Sequence, residues 1–217
     1  MDSFTSFLKH RLSLPLPGFE VQLRMAPPTD VRNKRVQVPP GVKHNGVVIL
    51  IHKCSNEYSI LMTLRSSALK AHSGQICFPG GGSEPYETLE DTVLRELEEE
   101  TGLQLQPEDI IGRLTPLYVP PTENIIHPFV SYISELPGLT LQESEVSEAF
   151  PVSLSTLSNP EYITSGEWVL GSNKITVPYW NIHKVPLWGA TAMITREFLE
   201  LYEEFRTGEK QEGDLSI

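Results

Sequence analysis

The segment from Glu87 to Thr101 contains neither glycine nor proline and is rich in good helix formers. Gly102 follows it as a natural C-terminal stop, so the sequence predicts one helix of about four turns. Apolar residues recur at four-residue intervals and form a separate stripe for the core, at Leu89, Val93 and Leu97. The fold must therefore bury one face of this helix and leave another face available.

Three glutamates share a face of the predicted helix, because Glu96, Glu99 and Glu100 stand at i, i+3 and i+4. Like charges at this spacing destabilise an exposed helix by roughly 0.2–0.5 kcal/mol per pair, so a compensating cation is expected. Oxygen-only ligands favour Mg²⁺ or Mn²⁺, which commonly bind substrate phosphates together with a few carboxylates. An ordinary solvated helix face is the alternative, and the acidic run alone would favour it.

The spacing of the residues around the acidic run favours a functional site. From Gly81 to Leu103 the chain fits the pattern G-x5-E-x7-R-E-U-x-E-E-x-G-U at every fixed position, where U is a bulky aliphatic residue. This pattern is the Nudix box, and the chain resembles the Nudix hydrolases, which split a diphosphate linked to another group and use a divalent metal.

That resemblance implies a role for each residue of the box. Glu96, Glu99 and Glu100 would be the metal ligands, and Arg95 would orient a glutamate. Glu87 would be an auxiliary acidic group. The glycines from Gly80 to Gly82 would let the backbone come close to metal or phosphate.

A second motif lies directly upstream, where residues 61–81 read LMTLRSSALKAHSGQICFPGG. It resembles the signature of the coenzyme A diphosphatase branch of the Nudix hydrolases. The motif forms a short basic and polar loop, and guanidinium and ammonium groups are the usual partners of phosphate oxygens. The substrate-binding residues implied are Arg65, Ser66, Lys70, His72, Gly80 and Gly81. His72 either contacts substrate or braces the loop, and Cys77 is interpreted as a buried apolar residue, not a nucleophile.

Two later segments are expected to reach the site. The Pro-rich loop from Thr115 to Val130 offers Tyr118, Asn124 and His127 as candidates, and its prolines stiffen it. The segment from Glu143 to Leu154 resembles a stretch that contributes a carboxylate in this branch. Its candidates for an extra metal ligand or general base are Glu145 and then Glu148, with an exposed turn as the alternative. Trp188 is interpreted as a packing residue that closes a wall of the pocket.

Composition limits the remaining possibilities. The 217 residues suffice for one domain with a substantial core, and the net charge of −11 disfavours nucleic acid as a partner. Two cysteines without a repeated spacing indicate neither a disulfide framework nor a zinc site. No apolar run has membrane-spanning length and no secretory signal is recognisable, so a cytoplasmic protein without membrane contact is expected. A homodimer is a further expectation.

Periodicity predicts an α/β fold with strands bracketed by two helices, an α/β/α sandwich with a mixed β-sheet like that of the Nudix fold. We expect an N-terminal arm over residues 1–45, a catalytic domain over 46–207 and a polar tail over 208–217. Predicted helices cover Phe4–Leu14, the box segment and Gly189–Arg206. Predicted strands lie at 46–52, 58–65, 75–78, 109–118 and 127–133, followed by a hairpin turning at Gly171–Lys174.

The expected function is metal-dependent hydrolysis of the diphosphate of coenzyme A or its thioesters, which releases 3′,5′-ADP and 4′-phosphopantetheine, free or acylated. Glu100 or Glu145 would help deprotonate water, and the sequence leaves this choice open. A Nudix enzyme acting on ADP-ribose or another nucleoside diphosphate derivative is the first alternative. The second is a Nudix-fold module that binds a nucleotide without hydrolysing it, which the complete carboxylate set disfavours.

Overall fold

The computed structural model describes residues 2–27, 38–54, 57–68, 72–170 and 173–214. Its helices are α1 (Ser3–Arg11), α2 (Phe19–Gln22), α3 (Leu89–Thr101), α4 (Leu154–Ser158) and α5 (Gly189–Asp214). Its strands are β1 (Lys43–Cys54), β2 (Glu57–Arg65), β3 (Ile76–Cys77), β4 (Gly80–Gly82), β5 (Ile110–Arg113), β6 (Leu117–Val119), β7 (Asn124–Glu135), β8 (Val146–Ser153), β9 (Ile163–Leu170) and β10 (Asn173–Trp180). None of the helices in these ranges is both long and apolar enough to cross a membrane.

The main sheet is mixed and is built around β1. On one side β1 pairs in parallel with β7, with Val48 opposite Phe129. On the other side it pairs antiparallel with β4 along its first half and with β2 along its second half. β3 and β8 pair with β2, while β5 and β6 pair with β7. The glycine strand β4 is thereby held against the middle of the sheet.

Both faces of the sheet are covered by helices. A smaller apolar cluster lies between the sheet and α3 and includes Val48, Leu50, Leu61, Val93, Leu97 and Phe129. A larger cluster on the opposite face joins the sheet to α1 and α5 and includes Phe4, Ile49, Ile60, Met62, Ile194 and Phe198. Alternation along β1 and β2 sends successive side chains to opposite clusters. The predicted α/β/α sandwich is confirmed.

The N-terminal segment contributes to the core. Asp2 caps α1 by accepting the backbone N–H of Thr5 at 2.9 Å, and Phe4 is fully buried. Further along, the buried carboxylate of Glu197 in α5 accepts hydrogen bonds from the backbone of Gly18 and the side chain of Gln22. Residues 28–37 of the predicted arm lie outside the described residues.

The predicted hairpin is confirmed as an antiparallel pair of β9 and β10, with Trp168 opposite Ile175. Residues 171–172 of its turn lie outside the described residues. The base of the hairpin is anchored in the core, because Trp180 is fully buried and donates its indole N–H to the carbonyl of Leu157 at 2.9 Å.

Several elements differ from the sequence prediction. The region predicted as one strand over 109–118 forms two short strands, β5 and β6, which pair with different parts of β7. The final helix continues past Arg206 to Asp214, although this extension includes Gly208 and Gly213, which disfavour helix intrinsically. The sequence did not predict β8 as a strand, since Glu148 and Pro151 obscure the alternation.

Candidate active site

The helix α3 ends where its sequence predicts but begins at Leu89, two residues after the predicted start at Glu87. Thr88 is the N-cap residue, and Thr88 and Asp91 exchange backbone and side-chain hydrogen bonds in a capping box. Gly102 ends the helix in the left-handed conformation, with φ of 72°. Glu87 therefore precedes the helix and belongs to the loop that follows β4.

Three carboxylates converge beside α3. One oxygen each of Glu96, Glu100 and Glu145 lies within 4.8 Å of the others. Glu100 is the most buried of the three, with 1% of its side chain exposed. Its two oxygens face the backbone N–H of Gly80 at 3.2 Å and the guanidinium of Arg65 at 3.7 Å. The motif residues before and within the box therefore meet at one carboxylate.

The environment of the cluster disfavours its negative charge. Burial raises the pKa of Glu100 to about 8; the Gly80 hydrogen bond and Arg65 oppose this effect, and the charges of Glu96 and Glu145 add to it. Burial also raises the pKa of Glu96, against the influence of Arg95. A hard divalent cation would relieve the repulsion within such an oxygen donor set, so these residues fit a Mg²⁺ or Mn²⁺ site.

Backbone contacts fasten Glu145 to both motifs. The N–H of Gln142 donates to the carbonyl of Glu100 at 3.1 Å, at the otherwise unpaired C-terminal end of α3. The carbonyl of Glu145 accepts the N–H of Ser66 at 2.8 Å. The loop before β8 is thus held between the box helix and the basic loop, and this explains why Glu145 faces the other two carboxylates.

Arg95 binds three carboxylates at once. It contacts Glu87 at 2.6 Å, Glu96 at 3.0 Å and Glu99 at 2.8 Å, and also donates to the carbonyl of Gly82. The Arg95 hydrogen bond lowers the pKa of Glu87 to about 2, so this carboxylate stays charged. The guanidinium thereby links the loop after β4 to the cluster.

The structure places Glu99 apart from the three converging carboxylates. Its side chain is 56% exposed and its carboxylate binds Arg95. Its role as a metal ligand stays a prediction.

Two glycines allow the close contacts at the cluster. A Cβ atom on Gly81 would overlap the carboxylate of Glu96. Gly80 has a φ of 148°, and a Cβ atom there would collide with the backbone of Gly46 and Val47. Gly46, which the sequence patterns did not single out, brings β1 against α3, since its Cβ would lie 2.6 Å from a methyl group of Val93.

The basic loop is only partly described. The Nε of Arg65 is buried and has no hydrogen-bond partner among the described residues, while Nη1 of the same guanidinium faces Glu100 at 3.7 Å. His72 is exposed, has a φ of 55° and contacts the Gln75 amide at 3.0 Å, so it braces its own turn. Lys70 lies outside the described residues.

The candidates from the later segments are dispersed. Tyr118 is buried, and Asn124 begins β7 with a buried amide oxygen that has no hydrogen-bond partner among the described residues. His127 contacts His44, a residue that the sequence did not indicate because it belongs to no motif.

Glu148 lies on the opposite face of the sheet from Glu145, across from Leu64, and binds His183 and Lys184. Trp188 packs edge-on against Trp168, with ring centroids 4.4 Å apart. Cys77 contacts the hydroxyl of Thr63, and burial raises the pKa of its thiol to about 11.

Comparison with known proteins agrees with both motifs. The model of the NUDIX domain matches residues 42–169. Over 182 residues the chain is 31% identical to the uncharacterized Nudix hydrolase NudL of Photorhabdus laumondii, covering 78% of this chain and 94% of that protein. Over 160 residues it is 32% identical to the human mitochondrial coenzyme A diphosphatase NUDT8, covering 70% and 67%.

A further named relative and a solved structure are also similar to this chain. The chain is 32% identical over 124 residues to the mouse peroxisomal coenzyme A diphosphatase NUDT7, covering 51% of this chain and 52% of that protein. A crystal structure of a MutT/nudix family protein from Enterococcus faecalis superimposes with a TM-score of 0.55 at 15% identity, covering 94% of this chain and 75% of that one. This likeness shows the Nudix fold.

The family model covers more than half of the chain, and relatives above 30% identity include proteins named for the coenzyme A diphosphatase branch. Both resemblances seen in the sequence are confirmed. This chain belongs to the Nudix hydrolases and is an enzyme that acts on pyrophosphate bonds.

Proposed function

We propose that this enzyme hydrolyses the diphosphate of coenzyme A or its thioesters in a metal-dependent reaction, with 3′,5′-ADP and 4′-phosphopantetheine or its acyl derivative as products. The observation that carries the proposal is the meeting of Arg65, from the basic motif, with the carboxylates of Glu96, Glu100 and Glu145. A guanidinium beside a cation-binding carboxylate cluster suits a diphosphate, because both recognise phosphate oxygens.

The carboxylates would hold Mg²⁺ or Mn²⁺ through Glu96, Glu100 and Glu145, with Glu99 joining if it leaves Arg95. When bound, the metal neutralises charge on the phosphate oxygens. Arg95 keeps Glu96 oriented through its contact at 3.0 Å, and its additional bonds to Glu87 hold the guanidinium itself in place. The cluster is therefore supported from the side of the loop after β4.

Substrate binding is assigned to the basic loop and the glycines. The partly exposed guanidinium of Arg65 would bind a phosphate oxygen of the diphosphate, and Lys70 would add an ammonium group. Gly80 and Gly81 carry no side chain, so the diphosphate can approach the backbone beside Glu96 and Glu100. Ser66 is buried and holds the Glu145 loop through its backbone N–H, so it positions the carboxylate beside the substrate.

Proton removal from the attacking water is assigned to Glu145 or Glu100. Glu100 is fully buried and accepts the Gly80 N–H, whereas Glu145 is only partly buried and lies on a loop. A general base must reach the proton of the water directly, so mutating each carboxylate in turn distinguishes which of them accepts that proton.

Cytoplasmic location and a homodimer remain part of the proposal.

The test is product analysis by mass spectrometry with coenzyme A, acetyl-coenzyme A and ADP-ribose, each with Mg²⁺ or Mn²⁺. Release of 3′,5′-ADP from coenzyme A at the highest kcat/KM supports the proposal. Preferred cleavage of ADP-ribose would keep the Nudix chemistry and reject this substrate.

A variant refines the substrate assignment. Arg65→Ala should raise KM for coenzyme A about tenfold or more, since it removes a charge-assisted contact. Arg24→Ala removes an exposed arginine that pairs with Glu200 and serves as the matched control. Equal effects of Arg65→Ala on coenzyme A and ADP-ribose would contradict recognition of the coenzyme by the loop.

A further inference from the structure

Three basic side chains lie on the same face of three neighbouring strands. Gly46 and Val48 of β1 face α3, and alternation places His44 on that face as well. His127 of β7 is opposite Gly46, and Arg113 of β5 is opposite Phe129, two residues further along β7. The strand pairing therefore sets His44, His127 and Arg113 side by side.

The two imidazoles are in direct contact. Nδ1 of His44 lies 2.9 Å from Nε2 of His127, and the rings stack at 5.1 Å between centroids with 23° between their planes. One ring must donate its N–H to the other. When both rings are neutral, the accepting ring keeps its own N–H, which is directed away from the contact. Within the described part of the chain no acceptor binds that second N–H.

The surroundings of this pair are cationic. Burial lowers the pKa of His127, and the charges of His44 and Arg113 lower it further. No described carboxylate forms an ion pair with Arg113. In a chain of net charge −11, three basic side chains without a described acidic partner form a local cationic patch, and such a patch attracts anions.

The group lies next to the box loop but outside the carboxylate cluster. Both the backbone N–H and the hydroxyl of Ser83 donate to the carbonyl of His44, at 3.2 and 3.3 Å. Across the sheet, Gly81 and His127 lie on opposite sides of Gly46. The carboxylates thus occupy one flank of α3 and the basic group occupies the other.

We propose that His44, His127 and Arg113 form a binding site for a phosphate monoester. The guanidinium would bind two phosphate oxygens and the outward imidazole N–H a third, and a dianion would favour an additional proton on the imidazole pair. This phosphate has two sources: the 3′-phosphate of coenzyme A, which rests on the proposed function, or a separate phosphate compound, which does not.

The site is tested by following the imidazole resonances of His44 and His127 by NMR during titration with inorganic phosphate, 5′-AMP and 3′,5′-ADP. Both resonances should shift with phosphate, and His10, exposed on α1, should not respond. Arg113→Gln should weaken phosphate binding about tenfold. The control Lys174→Gln, which removes an exposed charge on β10, should leave it unchanged. Imidazole resonances that stay fixed with both phosphate and 3′,5′-ADP would overturn the proposal.

A kinetic comparison then identifies the source. If the site holds the 3′-phosphate, the ratio of kcat/KM for coenzyme A to that for dephospho-coenzyme A falls about tenfold in Arg113→Gln. An unchanged ratio together with shifted imidazole resonances assigns the site to a separate phosphate. Shifted resonances in an enzyme that cleaves neither compound would reject the proposed function and support the site.

Discussion

The backbone N–H of Gln142 donates to the carbonyl oxygen of Glu100 at 3.1 Å, so the residue that directs its carboxylate into the cluster also holds the loop that carries Glu145. This contact uses a carbonyl that the end of α3 leaves without a helical partner. The geometry of the site therefore depends on the end of the helix as much as on its acidic face.

Glu145→Gln should lower kcat by a factor on the order of 10²–10⁴, because it removes a carboxylate that either binds metal or accepts the proton of water. Glu148→Gln is the matched control, since Glu148 lies three residues away on the opposite face of the sheet. Steady-state kinetics with coenzyme A measures both. A comparable loss in the two variants would show that the effect arises from strand β8 and not from the cluster.

Glu99→Gln should reduce both turnover and metal affinity, if Glu99 leaves Arg95 and joins the cluster on metal binding. Isothermal titration calorimetry with Mn²⁺ measures affinity without substrate. Glu98→Gln is the control, because Glu98 is exposed and contacts only Gln104 among the described side chains. Unchanged metal affinity and turnover would establish that Glu99 stays with Arg95.

Gly81→Ala should destabilise the protein by about 1–3 kcal/mol or displace Glu96, because the new Cβ would occupy the space of the Glu96 carboxylate. Gly82→Ala in the same strand should be nearly neutral, since no atom lies within 4 Å of its added Cβ. Urea unfolding and Mn²⁺ titration measure the two consequences. Equal behaviour of the two variants would contradict the close approach at Gly81.

Cys54 should react quickly with a thiol reagent and the partly buried Cys77 more slowly. Cys54 is exposed, whereas burial raises the pKa of Cys77 to about 11 and keeps it as the less reactive thiol. A reagent such as DTNB should label the native wild type in two phases, with Cys54 in the fast one. Fast labelling that persists in Cys54→Ala would show that Cys77 is accessible.

Asp2→Asn should lower stability at neutral pH and lessen the acid sensitivity of the protein. Burial raises the pKa of Asp2, but hydrogen bonds from Thr5, Tyr58 and Lys53 outweigh it and hold this pKa below its usual value. The stabilisation is thus complete above the unfolded-state pKa of about 3.9 and is lost as pH falls further.

Urea unfolding at pH values from about 7 to below the unfolded-state pKa of about 3.9 measures the effect of Asp2→Asn on the free energy of unfolding. The difference in free energy of unfolding between Asp2→Asn and wild type should become smaller below about pH 4. Glu108→Gln, at an exposed site, is the control for a general loss of charge. A difference that stays constant with pH would show that the ionised carboxylate of Asp2 does not stabilise the fold.

Local sequence determined α3 and its ends. The absence of glycine and proline from Glu87 to Thr101, the cap at Thr88 and the stop at Gly102 all act within a few residues, so they can be read without tertiary structure. The same holds for the spacing of Glu96 and Glu100 on one face. These features also carried the family assignment.

Tertiary structure alone decided which other groups meet that face. Glu145 joins Glu96 and Glu100 through backbone bonds to Gln142 and Ser66, while Glu148, three residues later, is turned away by strand alternation. The contact of His44 with His127 likewise exists because β1 and β7 pair in parallel, across a sequence separation of 83 residues. Periodicity specifies which face of an element is apolar, whereas register and pairing partners depend on contacts between distant segments, and only the folded chain fixes those.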